Sequence, residues 1–187
     1  MKPAAELRQG STYRKDNIPY LILKAERHQS TSGKRQRAAE VKFKTKELIS
    51  GKIQEITVLA TELMDDIILD RNQMQFLYES EGDYNFMDQE TFEQIALTAE
   101  DLGEAVNFLE EEMIIQVLMY EGRPVGVELP NTVIREVTYT EPGLKGDTIG
   151  RATKPATIAN GYSLQVPLFV VIGDKIKIDT RTGEYIE

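Results

Sequence analysis

Alternating apolar and polar positions run through the first third of the chain and predict short β-strands. In residues 39–43 apolar side chains alternate with charged ones, which is the period of a half-buried strand. Residues 18–23 form an apolar run, and residues 53–59 resume strand character after a Ser-Gly turn. About five short strands within residues 1–64 predict a small β-barrel.

A polar stretch without periodicity lies between Ala25 and Ala38, with predicted strands on both sides of it. This pattern predicts a hairpin loop whose tip falls near Gly33, since glycine fits a tight turn. Basic side chains on such a loop neutralise RNA phosphates and release counterions, so the loop is a candidate RNA-binding finger. A solvated polar hairpin explains the charges equally well. The basic residues of this candidate interface are Arg27, Lys34, Arg35, Arg37 and Lys42, with Lys44 and Lys46 nearby.

The middle third, residues 65–128, has a mixed pattern of strands and short helical segments. Residues 91–95 resemble a helix start, and the apolar side chains within residues 102–109 share one helical face. Strands interrupted by a short helix are typical of an OB-type barrel. The predicted strands are residues 73–78, 84–87, 113–120 and 125–129, with glycine-containing turns at 81–83 and 121–124.

The last third, residues 129–187, again has the pattern of a small barrel. Its predicted strands are residues 132–139, 162–167, 169–172 and 175–179, separated by turns that contain glycine. No internal repeat or linker-like tract is evident, so the three parts are expected to abut through short joints. The sequence therefore predicts an all-β protein with three domains, residues 1–64, 65–128 and 129–187.

Charge is distributed unevenly among these three parts. Residues 1–64 carry 13 basic and 7 acidic side chains, residues 65–128 carry 2 and 17, and residues 129–187 carry 7 and 7. The overall charge of −9 therefore conceals a first third of +6 and a middle third of −15. Such an asymmetry favours a partner that binds in a defined orientation.

Composition excludes several classes of chemistry. The chain has no cysteine, which excludes disulfide scaffolds, thiol nucleophiles and cysteine-ligated metals. The single histidine, His28, lies in the polar loop without a neighbouring serine motif or zinc-ligand spacing, so a polar surface role explains it best. The apolar runs are too short to cross a bilayer, and residues 1–10 lack the apolar segment of a secretory signal. We expect a cytoplasmic protein without a membrane partner.

Two further groups of residues are candidates for chemistry. The acidic residues at 65–66 and 110–112 fit a magnesium or acid–base site, although solvated helix and loop ends explain them better. The glycine-punctuated segment 143–150 lacks the Gly-Lys-Ser/Thr ending of a phosphate-binding loop. Within it, Asp147 and Thr148 are candidate hydrogen-bond partners for nucleic acid, and a plain turn is the simpler interpretation. We predict no catalytic residue, no metal site and no cofactor.

Long motifs extend over nearly the whole chain. In the last third they are EPGLKGDT at 141–148, KPAT at 154–157, VPLF at 166–169 and GDKIKIDTRTGE at 173–184. The middle third contains MQFLY at 74–78 and FMDQETFEQ at 86–94, and the first third contains LRQG at 7–10 and the Gly33–Lys34 loop. In these motifs the chain resembles bacterial elongation factor P.

The resemblance implies an SH3-like (KOW-type) barrel followed by two OB-type barrels, in a bent shape similar to that of a transfer RNA. It implies binding to the ribosome between the peptidyl (P) and exit (E) sites, and relief of stalling at consecutive prolines by positioning of the peptidyl transfer RNA. Lys34 is then the residue nearest the reaction, and in many members of the family a modifying enzyme extends it covalently. Gly146, Asp147 and Thr148 are implied to contact messenger RNA at the E site.

Two positions beside the finger tip depart from the family pattern. Ser32 stands where proline is usual, and Arg35 stands where glycine is usual. These two departures leave open which enzyme, if any, modifies Lys34. They also leave open whether the chain is a specialised paralogue in which Arg35 shares the role of Lys34. A general single-strand RNA-binding protein and, more remotely, a metal-dependent hydrolase stay open as other classes. We expect a monomer whose partners are the ribosome, the P-site transfer RNA and messenger RNA.

Overall fold

The computed structural model describes residues 1–28, 39–143 and 152–187. Within these ranges the protein consists mainly of strands in three sheets with barrel-like curvature, and its helical segments are three to six residues long. The prediction of an all-β protein built from small barrels is confirmed. In the described part of the chain, no helix has the length and apolar character needed to cross a membrane.

The first sheet has the strand order β1-β6-β2-β3-β4-β5. Tyr13 and Phe43 are fully buried on its inner face and lie at the centre of its core. β2 and β3 are joined by residues 16–17, whose left-handed φ angles of 51° and 66° match the right-handed twist of a hairpin. The strands are β1 (Lys2–Pro3), β2 (Thr12–Lys15), β3 (Ile18–His28), β4 (Glu40–Glu47), β5 (Ile53–Leu59) and β6 (Leu63–Ile67).

The predicted strands of the first third are confirmed, but the predicted loop began too early. Residues 25–28 continue β3 and pair with β4 as far as His28 opposite Glu40. The pairing register shifts between Ile22 and Lys24, so that an additional residue of β3 forms a β-bulge. Because the bulge changes which side chains face outward, alternation read from the sequence fails along this strand.

The second sheet has the order β11-β10-β7-β8-β9 and encloses Phe86 and Val117 in its core. Its hairpin turns at residues 81–82 and 121–122 have two left-handed residues each, the second of which is glycine. The strands are β7 (Asp70–Ser80), β8 (Asp83–Asp88), β9 (Gln94–Thr98), β10 (Ile114–Tyr120) and β11 (Arg123–Glu128).

The helix start predicted at residues 91–95 is wrong. The carboxylate of Asp88 accepts hydrogen bonds from the backbone N–H groups of Glu90 and Thr91, at 2.8 and 3.0 Å, and so folds this segment into a turn. The chain then enters β9. The acidic residues that suggested a first helical turn belong instead to an Asx-type turn.

The helical segment predicted at residues 102–109 is confirmed, but it begins earlier and consists mostly of a 3-10 helix. The α-helix α1 (Ala99–Leu102) is a single turn, with Thr98 and Asp101 forming a capping box at its start. Gly103 then has a left-handed φ of 56°, and a 3-10 helix (Gly103–Phe108) follows. Phe108 and Leu109 are buried.

The third sheet has the order β14-β13-β12-β15-β16, and its core includes Val137, Val166 and Ile178. A 3-10 helix (Ala159–Gly161) connects β13 to β14. The strands are β12 (Thr132–Thr140), β13 (Thr153–Ile158), β14 (Ser163–Pro167), β15 (Lys175–Asp179) and β16 (Glu184–Tyr185).

Two features of the third sheet differ from the prediction. β13 was not predicted, because a lysine and a proline at residues 154–155 weaken its strand pattern. Residues 169–172 were predicted as a strand and instead form turns. The side chain of Asp174 accepts the N–H of Val171 at 2.9 Å, and only Val170 of this apolar run is buried.

The described chain separates into two compact units. One contains residues 1–70 and 119–125, and the other contains residues 71–118 and 126–187. The second unit thus includes most of the middle sheet and all of the third. The division into three domains at residues 64 and 128 stays a prediction.

Candidate nucleic-acid interface

The outer face of β3, β4 and β5 carries a cluster of lysine side chains. Along β4, Val41 and Phe43 point into the core, so the alternate positions Lys42, Lys44 and Lys46 point outward. The predicted strand period therefore places three cations on one face of the sheet. We call this surface, together with Lys24 on β3, the lysine face.

Two lysines of this face are direct cross-strand partners. Lys24 on β3 pairs with Lys44 on β4, and like charges in this position destabilise a sheet. The repulsion is reduced by Glu55, which pairs with Lys44 from β5, and by Glu26, whose carboxylate lies 2.5 Å from the Lys24 ammonium. The arrangement therefore keeps lysines and carboxylates side by side on this face.

Ion pairs on this face favour the ionised forms of Lys42, Glu55 and Glu26. Lys42 Nζ lies 2.7 Å from Glu55, and this hydrogen bond raises the pKa of Lys42 and lowers the pKa of Glu55. The hydrogen bond from Lys24 likewise lowers the pKa of Glu26. Among the ion pairs of the described residues, none involves Lys44 or Lys46, so these two cations are the ones most available to an external anion.

Lys24 was missing from the residues predicted for this interface. It follows an apolar run in the sequence, and the bulge in β3 turns it to the outer face. A bulge depends on how two strands pair, so the local sequence does not predict it, apart from the point at which the apolar run ends. The sequence indicates the outward position of Lys24 only in that this charged residue directly follows an apolar run.

Arg27 and His28, at the end of β3, are exposed. The Arg27 guanidinium donates a hydrogen bond to the carbonyl of Ala5, and His28 Nε2 lies 3.8 Å from the carboxylate of Glu26. Arg27 therefore ties the base of the predicted finger to the N-terminal segment. Because the Arg27 side chain is exposed, it is accessible for the predicted contact with RNA.

The predicted finger tip lies outside the described residues. Gly33, Lys34, Arg35 and Arg37 all fall in the gap between residues 28 and 39, so their role stays a prediction. The structure describes the two strands that carry them, β3 and β4, paired up to His28 and Glu40.

The second predicted RNA contact, Gly146, Asp147 and Thr148, also lies outside the described residues. The described residues on either side of this segment have fixed contacts. The buried side chain of Lys154 donates to the carbonyl of Glu141 at 2.6 Å, and an added Cβ on Gly143 would lie 2.7 Å from the carbonyl oxygen of Leu168. Both ends of the segment therefore start from fixed positions.

Of the acidic residues that are candidates for a metal or acid–base site, Asp65 and Asp66 have structural partners. Asp65 accepts a hydrogen bond from Arg14 at 2.9 Å, and Asp66 pairs with the amino terminus and with Lys2 at 3.0 and 2.9 Å. Both lie on strand β6 rather than at a solvated helix or loop end. Among the described residues, no group of three or more potential metal ligands is placed to hold an ion.

Small antiparallel barrels with a lysine-rich strand face are typical of the class of β-barrel proteins that bind nucleic acid. Family models match three consecutive parts of the chain: the elongation factor P KOW-like domain at residues 3–64, the elongation factor P OB domain at 69–127, and the elongation factor P C-terminal domain at 133–187. The chain belongs to the elongation factor P family, a family of translation factors, which confirms the resemblance found in its motifs.

Individual relatives agree with this assignment over the full length. An elongation factor P from Fusobacterium nucleatum is 53% identical over 187 residues, covering 100% of this chain and 98% of the relative. One from Bordetella petrii is 45% identical over 185 residues, covering 99% and 97%. A solved structure described as eukaryotic translation initiation factor 5A from Methanococcus jannaschii is similar over part of the chain only. Its TM-score is 0.48 at 18% identity, and the match covers 67% of this chain and 94% of that one.

Proposed function

We propose that this translation elongation factor binds the ribosome between the P and E sites and stimulates peptide bond formation at consecutive prolines. The observation that carries the proposal is a predicted basic finger, with Lys34 at its tip, mounted on two strands whose outer face is rich in lysine. The full-length similarity to elongation factors P supports the same partner, the ribosome. We expect the protein to act in the cytoplasm without a cofactor.

In the proposed mechanism the factor acts by positioning. Proline reacts poorly because its ring restrains the backbone and its amine is secondary. The lysine face binds the phosphate backbone of the P-site transfer RNA, and the Lys34 side chain braces the end that carries the nascent peptide. Correct orientation of two reactants is worth up to ~7–11 kcal/mol in ideal cases, so no acid or base from the protein is needed.

The direct test is synthesis of a peptide with a run of prolines in a reconstituted translation system. We expect the purified factor to increase the rate of proline–proline bond formation, and to leave a matched message without prolines unaffected. A general single-strand RNA-binding protein would instead bind RNA without this selectivity. Equal effects on both messages would therefore contradict the proposed function.

Ribosome binding is expected to weaken steeply with salt. If the lysine face and the finger together neutralise about three phosphates, the log–log slope of affinity against salt is about −2 to −3. Replacing Lys44 with glutamine should make this slope shallower by about 0.7–0.9, one phosphate contact. The matched control is Lys52→Gln, an exposed lysine in the turn at the other end of β4, which should leave the slope unchanged. If Lys44→Gln leaves the salt slope unchanged, the lysine face is not part of the ribosome-binding interface.

Retention on the ribosome is expected to depend on the codon in the E site. The paired change Asp147→Ala and Thr148→Ala should shorten retention on ribosomes with a filled E-site codon, since it removes the proposed hydrogen-bond partners of the messenger RNA. On ribosomes without that codon the loss should be small. Dissociation rates measured on both kinds of ribosome provide the comparison, and equal losses would assign the loop a structural role.

Lys34 is expected to carry a covalent extension when the protein is isolated from its native cell. An unmodified lysine offers one flexible, strongly hydrated ammonium, whereas a longer arm with a further donor reaches the transfer-RNA backbone beyond the loop. Intact mass and peptide mapping measure this directly. An unmodified peptide that spans Gly33–Lys34, from cells in which the factor is active, would show that Arg35 and Arg37 supply enough charge without a modification.

A further inference from the structure

A groove in the second compact unit has a chemistry that the proposed contacts with RNA do not use. It has a volume of about 520 Å³ and lies between the β7–β8 hairpin, the segment that follows the 3-10 helix, and the start of the β13–β14 connection. Its lining includes Phe76, Glu79, Tyr84, Leu109, Glu110 and Glu111.

The floor of the groove is aromatic. Tyr84 on β8 is partly exposed, and its ring packs against that of Phe76 with the centroids 6.0 Å apart and the planes tilted by 35°. Glu79 is the direct cross-strand partner of Tyr84, so their side chains leave the same face of the sheet. An aromatic face beside a carboxylate attracts a cation, because the ring face and the carboxylate are both negative.

The rim of the groove is acidic and held in place. Glu79 accepts the backbone N–H of Gly82 at 2.9 Å through one carboxylate oxygen. Glu110 and Glu111 are exposed on the opposite side, where the carboxylate of Glu110 already lies 3.1 Å from a guanidinium nitrogen of Arg135. An arginine of the chain itself thus shows that a guanidinium pairs with this rim.

The wall of the groove is rigid. The Asn160 side chain donates to the carbonyls of Val106 and Leu109, at 3.2 and 2.9 Å, and fixes the segment between them. The backbone N–H of Glu112 donates to the carbonyl of Phe76 at 2.9 Å, which joins the same segment to β7. A groove that is already ordered binds a side chain with little loss of conformational entropy.

We propose that this groove binds arginine or lysine side chains of a basic polypeptide segment on a protein partner. Glu110 is already paired with Arg135, and the other two carboxylates of the groove, Glu79 and Glu111, repel a phosphate backbone. The middle third of the chain carries −15, so charge complementarity selects a cationic partner over RNA. The inference does not depend on the role of Lys34.

The test uses the full chain and a fluorescent peptide that alternates arginine with glycine, with binding measured by fluorescence anisotropy. The double variant Glu79→Gln, Glu111→Gln should weaken binding about fivefold to tenfold, as expected for two surface ion pairs. The double variant Glu90→Gln, Glu93→Gln removes the same charge from exposed positions that do not line the groove, and should weaken binding less than twofold. Equal losses of affinity in the two double variants would show that the peptide is attracted by the overall negative charge of the domain and not by the groove, and would overturn the proposal.

The aromatic floor is tested separately. Tyr84→Leu should weaken peptide binding about threefold, whereas Tyr84→Phe keeps the ring face and should bind as the wild type does. Thermal unfolding of both variants shows whether Tyr84→Leu leaves the sheet folded. If the sheet is folded and Tyr84→Leu binds the peptide as tightly as the wild type does, the proposal is contradicted. An oligouridine probe that competes with the peptide for the groove would also contradict it. Proline-run synthesis by the same variants in the reconstituted translation system should stay unchanged, which separates this site from the proposed function.

Discussion

Replacing Lys34 with alanine is expected to remove most of the stimulation of proline–proline bond formation. The change removes the cation that the proposed mechanism places nearest the reacting groups, together with any extension attached to it. Each 1.36 kcal/mol of lost positioning lowers the rate tenfold, so we expect a decrease of at least about tenfold in the stimulated rate. The measurement is the rate of peptide bond formation at a proline run in a reconstituted system with a saturating amount of factor.

Two variants make this result specific. Lys52→Ala removes a lysine from an exposed turn of the same sheet and should leave the stimulated rate unchanged. Lys34→Arg keeps a positive charge and should retain part of the activity if charge alone matters, because arginine also donates to phosphate groups. Since the sequence places Lys34 in a polar loop between strands, thermal unfolding of the alanine variant should match the wild type. Full rescue of stalled ribosomes by Lys34→Ala would refute the assigned role.

The strand pattern of the sequence predicts most of the fold, and its failures have local causes. The pattern correctly locates β4, which has one buried and one solvated face, and β5, whose positions alternate between partly buried and exposed. It misses β13, where the ammonium of buried Lys154 bonds the carbonyl of Glu141 and makes a lysine compatible with the interior. It also assigns a strand to residues 169–172, where a hydrogen bond from the chain to Asp174 closes a turn despite the apolar composition.

The sequence predicts which charged residues belong to the candidate site, but it predicts less well how these residues are arranged in space. Basic residues around the finger are visible in the composition, and the period of β4 is enough to place Lys42 and Lys44 on one face. The position of Lys24 opposite Lys44 depends on a bulge, and the groove beside Tyr84 depends on segments that are distant in sequence. Both result from tertiary pairing, which a local pattern does not encode.

Arg135 is expected to be the polar residue on which the stability of the second compact unit depends most. Its side chain is 9% exposed, and its guanidinium donates to the carbonyls of Phe108 and Ile134 and pairs with Glu110 at 3.1 Å. Burial lowers the pKa of this arginine, and the charge of Glu110 acts in the opposite direction. The residue thus connects β12 to the end of the 3-10 helix.

Replacing Arg135 with methionine keeps an apolar stem and removes these donors. The carbonyl of Phe108 then loses its partner in a buried place, so we expect a loss of about 2 kcal/mol in the free energy of unfolding. Urea unfolding followed by tyrosine fluorescence measures it, since the chain has eight tyrosines and no tryptophan. Arg71→Met, which breaks the exposed pair with Glu128, is the matched control and should change stability by less than about 0.5 kcal/mol.

A second variant separates the hydrogen bonds of Arg135 from its ion pair. Glu110→Gln removes the charge that faces the guanidinium but leaves the bonds to the two carbonyls in place, and the Glu110 side chain is 67% exposed. Because an exposed partner contributes little, this variant should unfold close to the wild type. A loss in Glu110→Gln as large as that in Arg135→Met would mean that the ion pair, rather than the buried carbonyl of Phe108, holds the segment to β12.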